Sequence, residues 1–270
     1  MKIQRITFLV IIFMLTACHT ASQRFHNYAI DKGFQSKQIT GKPFEHIIYT
    51  NVAANKLNVQ QTLHIYLDGD GSPWHNQRWL NKDPTSRNPL ILKLMQQDLK
   101  PSILLGRPCY HGLNNSIPCH SRFWSSQRYS QIVVDSMVQA LQHWLVLHPA
   151  ENIVFIGYSG GGALALLIAP YIIQTQKIIS IAANLDTDAW SQYHGYAPFS
   201  ESLNPATQAK LNPAIKQFHL IGLEDRIVPA IIAYHFVEQQ THGVIREFPK
   251  FNHRCCWDKV WRSVLEELEN

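Results

Sequence analysis

The sequence has no internal repeat, no low-complexity block and no long Pro/Gly/Ser linker, so nothing in its 270 residues marks a division into separate domains. Charge is sparse, at 16% of residues. There is no Lys/Arg block and no nucleic-acid-binding motif, which argues against a nucleic-acid partner. No apolar stretch is long enough for a comfortable membrane span; the longest, ITFLVIIFML at Ile6–Leu15, falls well short. Asp68 and Asp70 are not followed by the acidic ligands of a calcium loop. What is present is 46% hydrophobic residues, enough for a sizeable core, and the chain reads as one α/β domain behind a short N-terminal arm.

The first residues form a separate object. Lys2 and Arg5 precede the apolar run, and Thr16-Ala17-Cys18 follows it. A basic segment, a short apolar core and small residues before a cut describe a secretory signal peptide. Leu15-Thr16-Ala17-Cys18 also resembles a bacterial lipobox, in which the cysteine becomes the lipidated first residue; the alternative is a plain signal peptide with an incidental Cys18. His19 stands after the cysteine instead of the Asp associated with inner-membrane retention, which points to an outer-membrane anchor facing the periplasm or the exterior. Removing residues 1–17 deletes Lys2 and Arg5 and no acid, so the formal charge falls from +5 to +3.

The chain has five cysteines. With Cys18 lipidated, Cys109, Cys119, Cys255 and Cys256 remain, and an exported protein sits where disulfides persist. The simplest pairing is Cys109–Cys119, tethering the loop CYHGLNNSIPC. The rival is a metal site of Cys109, His111, Cys119 and His120, against which tight zinc sites show closer spacing within each ligand pair; no metal is expected. Adjacent Cys255 and Cys256 could form a vicinal disulfide or stay as thiols beside Trp257.

Short β-branched and aromatic runs predict strands at 44–50, 62–67, 102–106, 153–156, 177–182, 216–221 and 243–248. Apolar residues at three-to-four spacing predict helices at 89–99, 131–148, 161–173, 229–239 and 258–269. Strands alternate with helices, and the continuous apolar strands imply burial on both faces. The expected fold is α/β, a mostly parallel central sheet with helices on both faces, with its site beyond the C-terminal strand ends.

Gly157-Tyr158-Ser159-Gly160-Gly161 falls between a predicted strand and a predicted helix. A turn this sharp strains its central residue and exposes the serine hydroxyl near a helix N-terminus, while the flanking glycines allow close packing. The bland reading is a Gly-rich connection with a solvated serine.

This stretch, together with YLDGDG, DPTSRNP, GRPCYHG, FWSSQRYS, ANLDTDAW, SLNP and FNHRCCW, resembles exported bacterial α/β hydrolases, often lipoproteins, over most of residues 60–260. The resemblance implies the α/β-hydrolase fold and cofactor-free serine hydrolysis, with catalytic residues in the order Ser, acid, His. By that match Ser159 is the nucleophile. Asp225 stands at the acid position in GLEDRIVP, with Glu224 one residue early; capping the following helix or pairing with Arg226 is the other use of Asp225, and Asp186 in NLDTDAW is the second choice of acid. His253, in the loop after the last predicted strand, is the base. The oxyanion donors are the N–H of Gly160 and that of Asp70, or of Gly71, in DGDG. This stretch stands where His-Gly-x is usual, and Asp-Gly pairs also favour plain turns.

Residues 1–17 are thus expected to be a lipoprotein signal peptide, 18–43 an N-terminal arm and 44–270 the hydrolase domain. The expected function is a carboxylesterase-like serine hydrolase acting on a small-molecule ester in the cell envelope, attached to the membrane through a lipid on Cys18. A thioesterase or peptidase would use the same triad, and a non-catalytic lipoprotein on the same fold is the non-enzyme alternative. Trp74, Trp79, Trp124 and Trp190 are candidates for an acyl pocket or for plain packing. Arg107, Arg122 and Arg128 could hold an acidic group or be packed or solvated.

Overall fold

Strand β3 (Thr62–Leu67) is buried almost throughout, and its side chains part by alternation. Leu63, Ile65 and Leu67 enter one apolar cluster while Tyr66 enters another on the opposite face. Strand β7 (Asn152–Tyr158) does the same, with Ile153 and Phe155 on one side and Val154 and Ile156 on the other. Apolar runs of this kind require cover on both faces. The computed structural model describes residues 19–76, 78–240 and 242–269, so the expected signal peptide and Cys18 lie outside the described residues.

In chain order the structure begins with α1 (Ala21–Asp31), β1 (Gln35–Gly41), β2 (Phe44–Thr50) and β3, followed by a small hairpin of β4 (Trp74–His75) and β5 (Trp79–Leu80). Then come α2 (Leu90–Met95), β6 (Ser102–Leu105), α3 (Gln131–Leu147), β7 and α4 (Gly160–Ile168). The remainder is β8 (Thr175–Ile181), α5 (Thr187–His194), β9 (Lys216–Gly222), α6 (Ala230–Gln239), β10 (Gly243–Phe248) and α7 (Trp257–Glu269). The main sheet has eight strands in the order β1-β2-β6-β3-β7-β8-β9-β10. The six from β6 to β10 run parallel, and β1 and β2 pair antiparallel at one edge. Helices α3, α4 and α6 fill one face, and α1, α2 and α7 the other.

The expected N-terminal arm, residues 18–43, carries α1 and β1 and belongs to this body. Helix α1 begins in a capping box between Thr20 and Gln23. Phe25 packs against Tyr49 and His111 at ring distances of 5.7 and 4.6 Å. Strand β1 (QSKQITG) is polar and mostly exposed, which suits a sheet edge but gives no apolar run to detect.

Two helices are shorter than their patterns predict. Helix α4 stops at Ile168 because Pro170 lacks a backbone N–H and turns residues 169–171 into a 3₁₀ segment. Helix α2 stops at Met95, short of the buried Asp98, whose carboxylate accepts hydrogen bonds from His64, Tyr66 and the Lys100 N–H.

Among the described residues, no helix is long and apolar enough to cross a membrane. The four described cysteines form two bonds, Cys109–Cys119 and Cys255–Cys256. Bonded to each other, Cys109 and Cys119 leave no thiolate for the alternative metal site.

Candidate functional site

Strand β7 delivers Ser159 at its C-terminal end, and α4 starts on the next residue. Ser159 has φ +53° and ψ −124°, a conformation that costs a non-glycine residue roughly 1–3 kcal/mol. The neighbours make the turn possible. A Cβ on Gly157 would collide with the backbone of Gly161 and Gly162, and one on Gly161 would collide with the carbonyls of Leu67 and Asp68. Side chains at either position would push the helix off the sheet.

Two loops from the same end of the sheet converge on Ser159. Asp225 follows β9; its Oδ1 accepts the N–H groups of Ile227 and Val228, both at 2.8 Å. Its Oδ2 accepts from His253 Nδ1 at 2.8 Å. His253 follows β10, and its Nε2 lies 3.1 Å from Ser159 Oγ. A carboxylate only accepts, so Nδ1 carries the proton and Nε2 presents its lone pair to the hydroxyl. The His253 carbonyl accepts from the Tyr158 hydroxyl at 2.9 Å and from Trp257 Nε1 at 3.3 Å, so the histidine loop is tied both to the residue before the serine and to α7. The Cys255–Cys256 bond closes the same loop, and Cys256 has φ +84°. Asp225 and His253 are both buried.

Sequence reasoning named all three of these residues, and the structure brings them into one hydrogen-bonded chain. The second-choice acid is elsewhere. Asp186 caps α5 by accepting from the N–H groups of Asp188 and Ala189, and it also accepts from Asn204 Nδ2. Glu224 is exposed.

The loop after β3 closes the other side. Gly69 passes so close that a Cβ there would lie 3.1 Å from Ser159 Cβ. Asp70 and Gly71 line the same cleft as Ser159. Among the described residues no hydrogen bond occupies the backbone N–H of Asp70 or of Gly160, so both are available to an incoming oxygen.

The Asp70 side chain has a separate task that the sequence did not reveal. Arg107 Nη1 reaches Oδ1 at 2.5 Å and Arg128 Nη1 reaches Oδ2 at 2.8 Å. The Tyr129 hydroxyl donates to the same carboxylate at 2.7 Å, and the Tyr110 hydroxyl donates to the Asp70 carbonyl at 3.0 Å. A Cβ on Gly160 would strike this carboxylate. The loop after β3 is therefore bolted to the loop after β6, to the start of α3 and to the N-terminus of α4. Burial alone would raise the Asp70 carboxyl, but Arg128 and then Arg107 outweigh it and hold the group well below the usual carboxylate range. Among the described residues, the Asp68 carboxyl accepts a hydrogen bond only from the Gly69 N–H, and burial pushes it up to about 7. Of the three arginines considered as binders of an acidic group, Arg107 and Arg128 are spent on Asp70, and Arg122 lies 3.7 Å from Glu201 at the surface.

Removing the Asp70 carboxylate leaves two buried guanidiniums unpaired. Asp70→Ala is expected to destabilise the fold by about 3–5 kcal/mol, the usual cost of breaking a buried pair from one side. Urea unfolding checks this; a loss below about 1 kcal/mol would mean that water already screens the cluster.

The cleft has a volume of about 950 Å³. Trp74 and Trp190 line it, together with Tyr196 and Phe199. Trp124 is instead buried, donating to the Asn81 carbonyl at 3.0 Å, and Trp79 is 71% exposed outside the cleft. Asn184, which follows β8, also lines it; its Oδ1 is buried with no hydrogen-bond partner among the described residues. Among the described residues no group of three or more His, Cys, Asp or Glu is arranged to hold a metal ion.

The architecture has known counterparts. A family model for class 3 lipases matches residues 97–187, a stretch that contains Ser159 and ends before Asp225 and His253. No curated protein matches the chain. Among solved structures, an esterase from Pyrococcus furiosus superposes with a TM-score of 0.59 at 14% identity, covering 88% of this chain and 90% of that one. An α/β serine hydrolase without a lid, from Xanthomonas campestris, gives 0.53 at 14% identity, covering 87% and 94%. An acylaminoacyl peptidase from Pyrococcus horikoshii gives 0.58 at 12% identity, with 90% of this chain but only 43% of the peptidase covered. At these identities the likeness is one of fold, and the fold is that of the α/β hydrolases.

Proposed function

On the premise of an α/β-hydrolase fold, we propose that this chain is a serine hydrolase that cleaves a carboxylic ester through Ser159, His253 and Asp225. The observation that carries the proposal is the unbroken chain from Ser159 Oγ through His253 to the Asp225 carboxylate, held on a strained corner facing an open cleft. A serine hydroxyl is a weak nucleophile until a base takes its proton as it attacks. Here His253 Nε2 takes that proton, while Asp225 fixes the tautomer and stabilises the imidazolium. The ester carbonyl becomes a tetrahedral oxyanion, which the N–H groups of Gly160 and Asp70 receive. Collapse breaks the acyl C–O bond, and the alkoxide leaves as the alcohol with the proton from His253. Water then attacks the Ser159 ester by the same route in reverse, releasing the carboxylic acid and restoring the serine.

The carboxylic ester is preferred to the amide because an alkoxide is the easier leaving group. The similarity of residues 97–187 to class 3 lipases supports the same choice. The test is labelling of the purified chain by a fluorophosphonate, beside Ser159→Ala and His253→Ala. Wild-type label lost in both variants is the expected result; a folded wild type that takes no label rejects the mechanism.

The same proposal takes residues 1–17 as a signal peptide and Cys18 as the bearer of a lipid that holds the enzyme in the bacterial envelope, on the outer membrane. Its support is Lys2, Arg5, the apolar run and Leu15-Thr16-Ala17-Cys18. Expressed in a bacterium, the chain should yield an acylated N-terminal peptide beginning at Cys18, absent from Cys18→Ser; an unmodified N-terminus would reject the anchor.

A further inference from the structure

We propose that the cleft beside Ser159 accepts an ester that carries a negative charge, and that Arg87 and Arg254 form the site that recognises it. The inference rests on the serine-hydrolase reading and adds the substrate class. Both arginines line the cleft that contains Ser159. Among the described residues, neither guanidinium has an ion pair or a hydrogen bond, whereas the buried guanidiniums of Arg107 and Arg128 are both paired with Asp70.

The loops that carry the two residues are structured. Arg87 lies between β5 and α2, on a segment tied to the β3 loop by the Ser72 N–H bond to the Pro84 carbonyl at 2.8 Å. Gly71 fits against that same carbonyl with no room for a side chain. Arg254 is the residue after His253, and its N–H donates to Asn252 Oδ1 at 3.0 Å.

No acid in the cleft offsets them. Its carboxylates are Asp68 and Asp70, apart from Asp225 behind His253. Asp70 already has two arginines, and burial raises Asp68 to about 7, so it carries its full charge only above neutral pH. Trp190, Tyr196 and Phe199 line the same cleft and offer apolar surface beside the two charges.

The charge can sit on the acyl or on the alcohol side of the ester, and two matched pairs separate these. p-Nitrophenyl butyrate against p-nitrophenyl hemisuccinate places it on the acyl side; phenyl acetate against 4-acetoxybenzoate places it on the alcohol side. Each kcat/KM is divided by the hydroxide rate of the same ester, then measured with the full chain at about 20 mM and about 500 mM salt. One pair should favour the anionic ester about tenfold or more at low salt, with the preference shrinking at high salt. In the Arg87→Gln/Arg254→Gln double variant that ratio should fall towards one. Equal or poorer use of the anionic ester in both pairs, with Ser159 still labelled by a fluorophosphonate, overturns the proposal and leaves the hydrolase reading standing. A preference that survives the double substitution overturns the assignment to these arginines. A folded chain that neither takes the label nor turns over any of the four esters overturns the hydrolase reading and this inference with it.

Discussion

Ser159→Ala is expected to lower kcat on an activated ester by about 10⁵–10⁶, and His253→Ala by about as much. The double variant should be no slower than either single one, because the hydroxyl and its base act as a unit. Asp225→Asn is expected to cost less, about 10⁴. The geometry gives the reason. Asp225 Oδ1 keeps the N–H groups of Ile227 and Val228, so the loop survives an isosteric change. What changes is the group facing Nδ1: an amide can present its N–H there, favouring the tautomer whose Nε2 can no longer take a proton. A residual rate above the background in water should persist in all three variants, from the N–H groups of Asp70 and Gly160. Pre-steady-state kinetics on a p-nitrophenyl ester gives the numbers. If His253→Ala lost less than about 10²-fold, a different group would be the base.

Acid should destabilise this protein before its exposed carboxylates are titrated. Burial holds His46, His111 and His219 down to about 4, against about 6.5 in the unfolded chain. Between those values the unfolded state binds more protons, so stability falls as pH falls. At about 1.4 kcal/mol for each tenfold change in proton affinity, each histidine contributes about 3 kcal/mol and the three about 10. Asp68 acts in the opposite sense over the same range. Its folded carboxyl titrates at about 7, so the folded state binds the extra proton, and about 4 kcal/mol is regained as pH falls. The net expected loss between pH 7.5 and pH 4 is about 6 kcal/mol, comparable with the whole stability of an ordinary domain. Urea unfolding across that range measures it, and a flat profile would mean that the histidines reach water. Asp68→Asn should raise stability at pH 7.5 and leave it unchanged at pH 4.

The fold was largely legible because its strands are apolar on both faces. A run such as TLHIYL or NIVFIGY has few other homes than a covered parallel sheet. Where burial is one-sided the signal fades: α1 buries little beyond Phe25 and Ala29, and β1 buries only its last residue. Both therefore read as an arm, although β1 completes the sheet and α1 packs on its face. The site was legible where backbone geometry demands a residue type. Glycines around Ser159, an Asp after β9 and a His after β10 follow from the turn and from the convergence of strand ends. The Asp70 cluster was hidden because its partners are scattered: Arg107 follows β6 and Arg128 precedes α3. Nothing in either segment says that its charge turns inward. Arg87 and Arg254 were hidden for the converse reason, since a single free arginine in a polar loop looks like any solvated one.

The placement of α1 has a mechanical side. Its capping residue is Thr20, and Ser22 is hydrogen-bonded through N and Oγ to the Asp83 carboxylate. Only His19 and Thr20 separate Cys18 from the first residue of the helix. At roughly 3.5 Å per residue, a lipid on Cys18 would have about 10 Å of leash. Lipid-borne enzymes on long flexible stalks sample a deep shell of solution; this one would ride at the bilayer with its tilt restricted by a docked helix. The segment that bears Asp83 runs on to Arg87 at the cleft, so the membrane-proximal end and the cleft rim would be two ends of one short loop. The direction in which substrate approaches would then be set by how α1 meets the headgroups.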